Sequence, residues 1–242
     1  MDTATDIAKE SADIILLEKN LMVLEEGVLE GRVTFGNIMK YIKMTASSNF
    51  GNVLSMVIAA VFLPFLPMLP LQVLVLNLLY DISQLSIPFD RMDDEYLRKP
   101  RKWDAGDIGR FMVWIGPASS VFDMTTFALL WYVFGANSPA HQSFFQSGWF
   151  IESLLTQTLV VHMIRTRKIP FLQSHAAAPV LGLTTAIIVI GMLIPYFSIG
   201  HKLGMVELPP VYFGWLGATV LAYCVLTQLM KLIYIRRYGR WL

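Results

Sequence analysis

The stretch PLQVLVLNLLYDISQLSIPF, residues 70–89, decides the fold. As a helix its twenty residues span about 30 Å, the thickness of a bilayer's hydrocarbon core. It nevertheless carries Asn77, Asp81 and Gln84. An ionisable group at that depth costs about 2.5–3.5 kcal/mol, so it marks a functional position by default. Five further stretches of similar length and apolarity lie at 44–63, 110–134, 147–165, 177–197 and 211–233. With 55% hydrophobic and 15% charged residues and a mean hydropathy of +0.54, the 242-residue chain has more apolar content than one soluble core absorbs. The reading is all-α: a polytopic membrane bundle of six transmembrane helices with a short N-terminal cytoplasmic stalk.

Direction comes from the cations, since Lys and Arg mark cytoplasmic loops. Eighteen of the nineteen fall before 44, between Arg91 and Arg110, at Arg165 to Lys168, or from Lys231 onward; Lys202 is the exception. Six spans then place both termini in the cytoplasm and the loops at 64–70, 135–146 and 198–210 outside. Pro64, Pro67 and Pro70 force a tight hairpin between the first two spans. Trp149, Trp215, Tyr132 and Tyr212 fall near span ends, where aromatic residues favour the interface. The net charge of +1, with no pooled basic face, gives no reason to expect nucleic acid. The single cysteine, Cys224, rules out an internal disulfide and a cysteine metal cluster. The polar, acidic start from Met1 to Glu10 is not a cleavable secretory signal.

Residues 1–43 are of mixed charge. Ile14, Ile15 and Leu16 predict a buried strand at 13–17, whose unpaired edge would point to a longer parent protein. Leu21, Leu24, Val28 and Leu29 interleaved with Glu18, Glu25, Glu26 and Glu30 predict an amphipathic helix running into the first span. A division at 1–43 and 44–242 follows.

Within the spans, Asn77, Asp81, Gln84 and Pro88 recur at helical spacing and predict one polar face. The preceding span offers Ser47, Ser48, Asn49 and Asn52, with Gly51 between the two asparagines. Across the hairpin these faces can meet as one carboxylate among amide and hydroxyl oxygens, a hard set suited to Mg²⁺ or Ca²⁺. A single carboxylate favours an ion that keeps some of its waters, as Mg²⁺ does. The competing reading is polar glue between helices. Asp123, in a run rich in Ser and Thr, is read as a carboxylic acid satisfied by those hydroxyls and kept protonated by burial. Glu152 is placed near the outer interface, Gln157 as interhelical glue and His162 near the cytoplasmic surface. Arg98, Lys99, Arg101 and Lys102 form a polybasic stretch that can contact anionic lipid headgroups.

No phosphate-binding loop, hydrolase triad or Asp-Lys-Thr-Gly phosphorylation motif is present. Asp6 to Leu16 nonetheless resembles the end of the phosphorylation domain of P-type ATPases. Gly31-Arg32, Asn37 to Ile42 and Ser47-Ser48-Asn49 resemble the stalk and fifth transmembrane helix, and Asn77 to Asp81 the ion motif of the sixth. Met44 to Val53, Tyr80 to Ser86, Arg98 to Asp104 and Gln157 to His162 are similar to the bacterial magnesium-importing subgroup.

That resemblance implies transmembrane helices five to ten of a pump in the bacterial inner membrane, with Asn49, Asn52, Asn77 and Asp81 as ligands of transported Mg²⁺. Asn52 stands where calcium pumps carry a glutamate, and Tyr80 where they carry a threonine. The chain itself would lack the ATP-hydrolysing domains, its partners being the bilayer and the remainder of the ATPase. A non-transporting membrane remnant or partner subunit, or a passive cation channel, are the alternatives.

Overall fold

A computed structural model describes residues 5–17 and 20–242; Met1, Glu18 and Lys19, which entered the reading above, lie outside them. Its helices are α1 (Asp6–Glu10), α2 (Met22–Phe62), α3 (Pro70–Gln84), α4 (Asp94–Leu97), α5 (Ala105–Ala128), α6 (Gln142–Ile164), α7 (Ala178–Leu193), α8 (Ser198–Lys202) and α9 (Pro210–Tyr238). The described residues form no strand. Residues 14–17 are irregular, with Ile14 and Leu17 well exposed, so the expected strand at 13–17 is absent. A strand needs a neighbour to pair its backbone, and the described residues offer it none.

The stalk and the first span are one continuous helix, as expected. Helix α2 runs for 41 residues, and its first buried residue is Gly36. Leu21, Met22, Leu24, Val28 and Leu29 stay exposed, so the apolar stripe of the stalk has no partner among the described residues.

Helices α2, α3, α5, α7 and α9 are long and apolar enough to cross a membrane, α3, α5 and α7 being extended by helical turns to Phe89, Val133 and Tyr196. Helix α6 is the sixth long helix, and Gln146, Ser147, Glu152, Thr156 and Gln157 dilute its apolarity. Eighteen of its 23 residues are buried, because it runs through the middle of the bundle and meets protein where its neighbours meet lipid. The neighbours turn Val53, Val57, Leu74, Leu78, Leu221 and Val225 outward. Such an arrangement is what a lipid solvent permits, with polar groups inside and apolar ones outside.

The tightest crossing is between α2 and α5. A Cβ on Gly51 would strike the Ser119 hydroxyl and the Gly116 carbonyl, and one on Gly116 would strike Phe50. Two facing glycines let the backbones approach, and the Ser120 hydroxyl uses the gap to donate to the Gly51 carbonyl at 3.0 Å.

Loop contacts gather the helix ends into two groups. At one end, Gln146 donates to the Leu66 carbonyl at 2.8 Å, Gln72 to the Leu203 carbonyl at 2.9 Å, and the Val206 amide to the Ser147 hydroxyl at 2.9 Å. At the other, Lys43 donates to the Trp241 carbonyl at 3.0 Å and Trp241 to the Ile164 carbonyl at 2.8 Å. Residues near 43, 90–107, 164 and 241 thus share one end, and the three prolyl or glycyl loops share the other.

The cation-rich end is also where buried ion pairs fasten the stalk. Lys40 pairs with Asp90 at 2.7 Å, and Arg165 approaches the other oxygen of Asp90 at 3.8 Å. Lys43 pairs with Asp107 at 2.8 Å, and Arg240 joins Asp107 at 3.1 Å. Asp104 caps α5 by accepting from the Asp107 amide, and that bond, with Arg240, holds its carboxyl below the usual range. Lys231 caps α6 with three bonds, to the carbonyls of Met163, Thr166 and Lys168 at 2.8 to 3.1 Å.

A candidate cation cleft between α2, α3 and α6

Asn49 and Asn52 from α2, Asn77 and Asp81 from α3, and Trp149 and Ser153 from α6 line a single cleft of about 410 Å³. Each helix contributes a pair three or four residues apart, the spacing that stacks side chains on one face. The four residues expected from the sequence therefore come together; whether they ligate an ion is taken up below. Asn49 and Asp81 are exposed at the mouth, and Asn52 and Asn77 are half-buried.

Side-chain bonds fix how α2 and α3 face each other. The Ser48 and Tyr80 hydroxyls meet at 2.9 Å, one residue from Asn49 and Asp81 respectively. Thr45 donates to Gln84 at 2.9 Å, and Asn37 donates to the Pro88 carbonyl at 3.2 Å. Of the expected face Asn77, Asp81, Gln84 and Pro88, only the first two reach the cleft. Toward its inner end the hairpin closes, and Gln84 is consumed as an interhelical bond. Asp81 also lines a second cavity of about 390 Å³ with Asn37, Tyr41 and Gln84, so its carboxylate stands between the cleft and the cation-rich end.

Sequence reasoning missed Ser153. Its hydroxyl donates to Asn52 Oδ1 at 3.4 Å and accepts from Gln157 Nε2 at 2.9 Å, so α6 orients an asparagine of α2. Nothing in the sequence flags that serine, because its partner is 101 residues away. Gln157, expected as interhelical glue, bonds within α6 to this serine, and among the described residues its amide oxygen has no partner.

Two expectations are corrected by the central position of α6. Glu152 does not reach the outer interface: it is fully buried, facing Asp123. Trp149 and Tyr212 are not interfacial anchors but buried donors, to Asp123 at 2.7 Å and to the Gly148 carbonyl at 2.7 Å; Trp215 and Tyr132 are exposed. His162, expected near the cytoplasmic surface, lies in the last turn of α6, 3% exposed, where it bonds Thr184 at 2.9 Å and its ring packs against the loop residue Phe171. A third correction concerns Asp123. The hydroxyls in its own helix are spent on local carbonyls and on Gly51, and its partners are Ser55 and Trp149 from other helices.

Among the described residues no group of three or more His, Cys, Asp or Glu side chains could hold a metal ion. Any cation in the cleft would meet amide oxygens, one carboxylate and water, a set for hard ions only.

Fold and site together define a multi-pass helical membrane domain with a polar cleft cut into its bundle. Residues 65–233 match the family described as "Cation transporting ATPase, C-terminus". The chain belongs to this family of cation-transporting ATPases, as its C-terminal membrane region. It is 65% identical over 241 residues, all of its own length, to a protein of Salmonella typhimurium named magnesium-transporting ATPase, P-type 1. It is 58% identical over 239 residues to the protein of that name in Escherichia coli K12. An endoplasmic reticulum calcium ATPase of Aspergillus fumigatus is 30% identical over 155 residues, 62% of this chain and 16% of its own length. The chain spans about a quarter of the length of the magnesium-transporting relatives, 26% and 27% respectively.

Proposed function

We propose that this chain is the ion-pathway segment of an ATP-driven Mg²⁺ importer of the bacterial inner membrane, with Asn49, Asn52, Asn77 and Asp81 as its share of the transported ion's site. The observation that carries this reading is the convergence of those four side chains in one cleft. The names of the relatives support magnesium as cargo. Residues 1–43 are then the end of the phosphorylation domain and the stalk, and residues 44–242 the transmembrane domain. The exposed apolar stripe of the stalk faces the remainder of the ATPase, which hydrolyses ATP. The ion pairs at Lys40 and Lys43 make α2 a rigid rod into the bundle, able to carry a movement of that soluble part to Asn49 and Asn52.

Asn49→Ala and Asn52→Ala each remove one neutral oxygen that a retained water can partly replace. In the full-length protein both should reduce Mg²⁺-dependent growth of a transport-deficient strain to an intermediate level at matched expression. Wild-type growth of the Asn49→Ala, Asn52→Ala double variant would refute the placement of the site.

The cation-rich end is cytoplasmic in this reading, by the eighteen-to-one asymmetry of Lys and Arg. Reporter fusions after Leu242 and near Lys202 should report opposite sides, cytoplasmic and external; the same side for both would overturn the topology. At that end Arg98, Lys99, Arg101 and Lys102 are exposed, and Arg101 and Lys102 share a groove with Trp103 and Arg240. This basic and aromatic groove at the inner membrane surface suits anionic lipid headgroups.

A further inference from the structure

Behind the wall of the cleft lies a second polar group that the cation reading leaves unused. Asp123 on α5 and Glu152 on α6 are 1% and 0% exposed. Asp123 is satisfied by two donors, Trp149 Nε1 at 2.7 Å to Oδ1 and Ser55 Oγ at 2.5 Å to Oδ2. Among the described residues neither oxygen of Glu152 receives a hydrogen bond. Glu152 stands three residues along α6 from Trp149, on the same helix face, and Trp149 holds Asp123, so the Asp123 carboxyl is the polar group set opposite it. An ionised carboxylate only accepts, so two carboxyl groups can bond to each other only if a proton lies between them.

A metal ion is the other means of holding two carboxylates together, and the surroundings do not support one. Beyond the two carboxyls and one serine hydroxyl, Mg²⁺ or Ca²⁺ would have to complete its shell with waters, and the two carboxyls are 1% and 0% exposed. No Lys, Arg or His forms an ion pair with either residue among the described residues. Polar groups beside the pair on the packed helices are Ser55 of α2, which bonds Asp123, and Tyr212 and Tyr223 of α9, which meet Gly148 and Phe122. Tyr212 gives its hydroxyl hydrogen to the Gly148 carbonyl, and α7 carries no titratable side chain. Lys40 and Lys43 of α2 are engaged with Asp90 and Asp107 at the inner end. Asp81 of α3 stands on the far side of Trp149, across the cleft wall.

We propose that Asp123 and Glu152 form an internal proton-binding site, separate from the cation cleft, in which one proton is shared between the two carboxyls. Trp149 forms the partition: its indole donates to Asp123 while its side chain lines the cleft. The site therefore places a removable positive charge next to the cation path without exposing a carboxylate to it. This assignment does not depend on which cation the cleft takes.

The test is infrared spectroscopy of the full-length protein in lipid. The wild type should show the carbonyl-stretch band of a protonated, unhydrated carboxyl group, moving to lower frequency in D₂O. Glu152→Gln should shift that band, because the remaining acid gains an amide partner. The Asp123→Asn, Glu152→Gln double variant, neutral and nearly isosteric, should lose it. A wild-type spectrum without the band would mean that both groups are ionised, around a cation, and would overturn the proposal. A band unchanged in the double variant, or in Glu152→Gln where the double variant does not accumulate, would place the protonated acid elsewhere and overturn it equally.

Discussion

Asp81→Asn in the full-length pump should abolish or nearly abolish Mg²⁺-dependent growth of a transport-deficient strain, while Glu152→Gln should be milder. Asp81 supplies the single full negative charge in the cleft, and its substitution leaves neutral oxygens alone to offset a dication's loss of hydration. Two unit charges about 4 Å apart interact by roughly 4 kcal/mol at an effective dielectric constant of ~20, and a dication doubles that. Even with most of it screened by water at the exposed mouth, the remainder corresponds to a loss in apparent affinity of about a hundredfold. The same substitution also removes the charge that stands between the cleft and the inner cavity, so release as well as capture suffers. Wild-type growth with Asp81→Asn, together with failure of Asp123→Asn at matched expression, would put the transport site on the wrong helix.

Asp90→Ala should be among the most damaging substitutions for stability, by about 3–5 kcal/mol, with no direct effect on the cleft. Asp90 is the shared counter-ion of Lys40 and Arg165, which are 0% and 2% exposed, and its Oδ1 also accepts from the Ala177 amide at 3.3 Å. Its loss leaves two buried cations without the carboxylate that pairs them. Lys40→Met should be much milder, because Asp90 keeps Arg165 and the buried ammonium is replaced by an apolar chain of similar length. Thermal unfolding in detergent of the two variants against the wild type measures the contrast. Equal destabilisation would mean that the stalk is held by packing and not by this ion pair.

The candidate cleft was legible in the sequence because its two principal walls are neighbours in the chain. Asn49 and Asn52 precede the proline-rich hairpin and Asn77 and Asp81 follow it, so helical spacing on each side and one tight turn bring the four together. The third wall was not legible. Trp149 and Ser153 belong to α6, some 70 residues beyond α3, and their spacing looks like that of any membrane helix. The strand expected at 13–17 failed for a related reason: Ile14, Ile15 and Leu16 carry the pattern, but a strand exists only with a partner, and the described residues supply none.

Sequence alone determined the all-helical membrane class and the approximate span positions. These depend on quantities local to each segment: about twenty apolar residues to match a bilayer, and cations that resist crossing it. Tertiary structure alone decided which helix sits at the centre and which polar groups meet there. In water a helix advertises its buried face by hydrophobic contrast, but in lipid the inward and outward faces of a span are both apolar, and that contrast vanishes. Helix α6 announced its central place only by being too polar for lipid, and what its polar residues face is set by packing between distant helices. The contact of Glu152 with Asp123, and of Lys40 with Asp90 fifty residues away, therefore became visible only once the bundle was assembled.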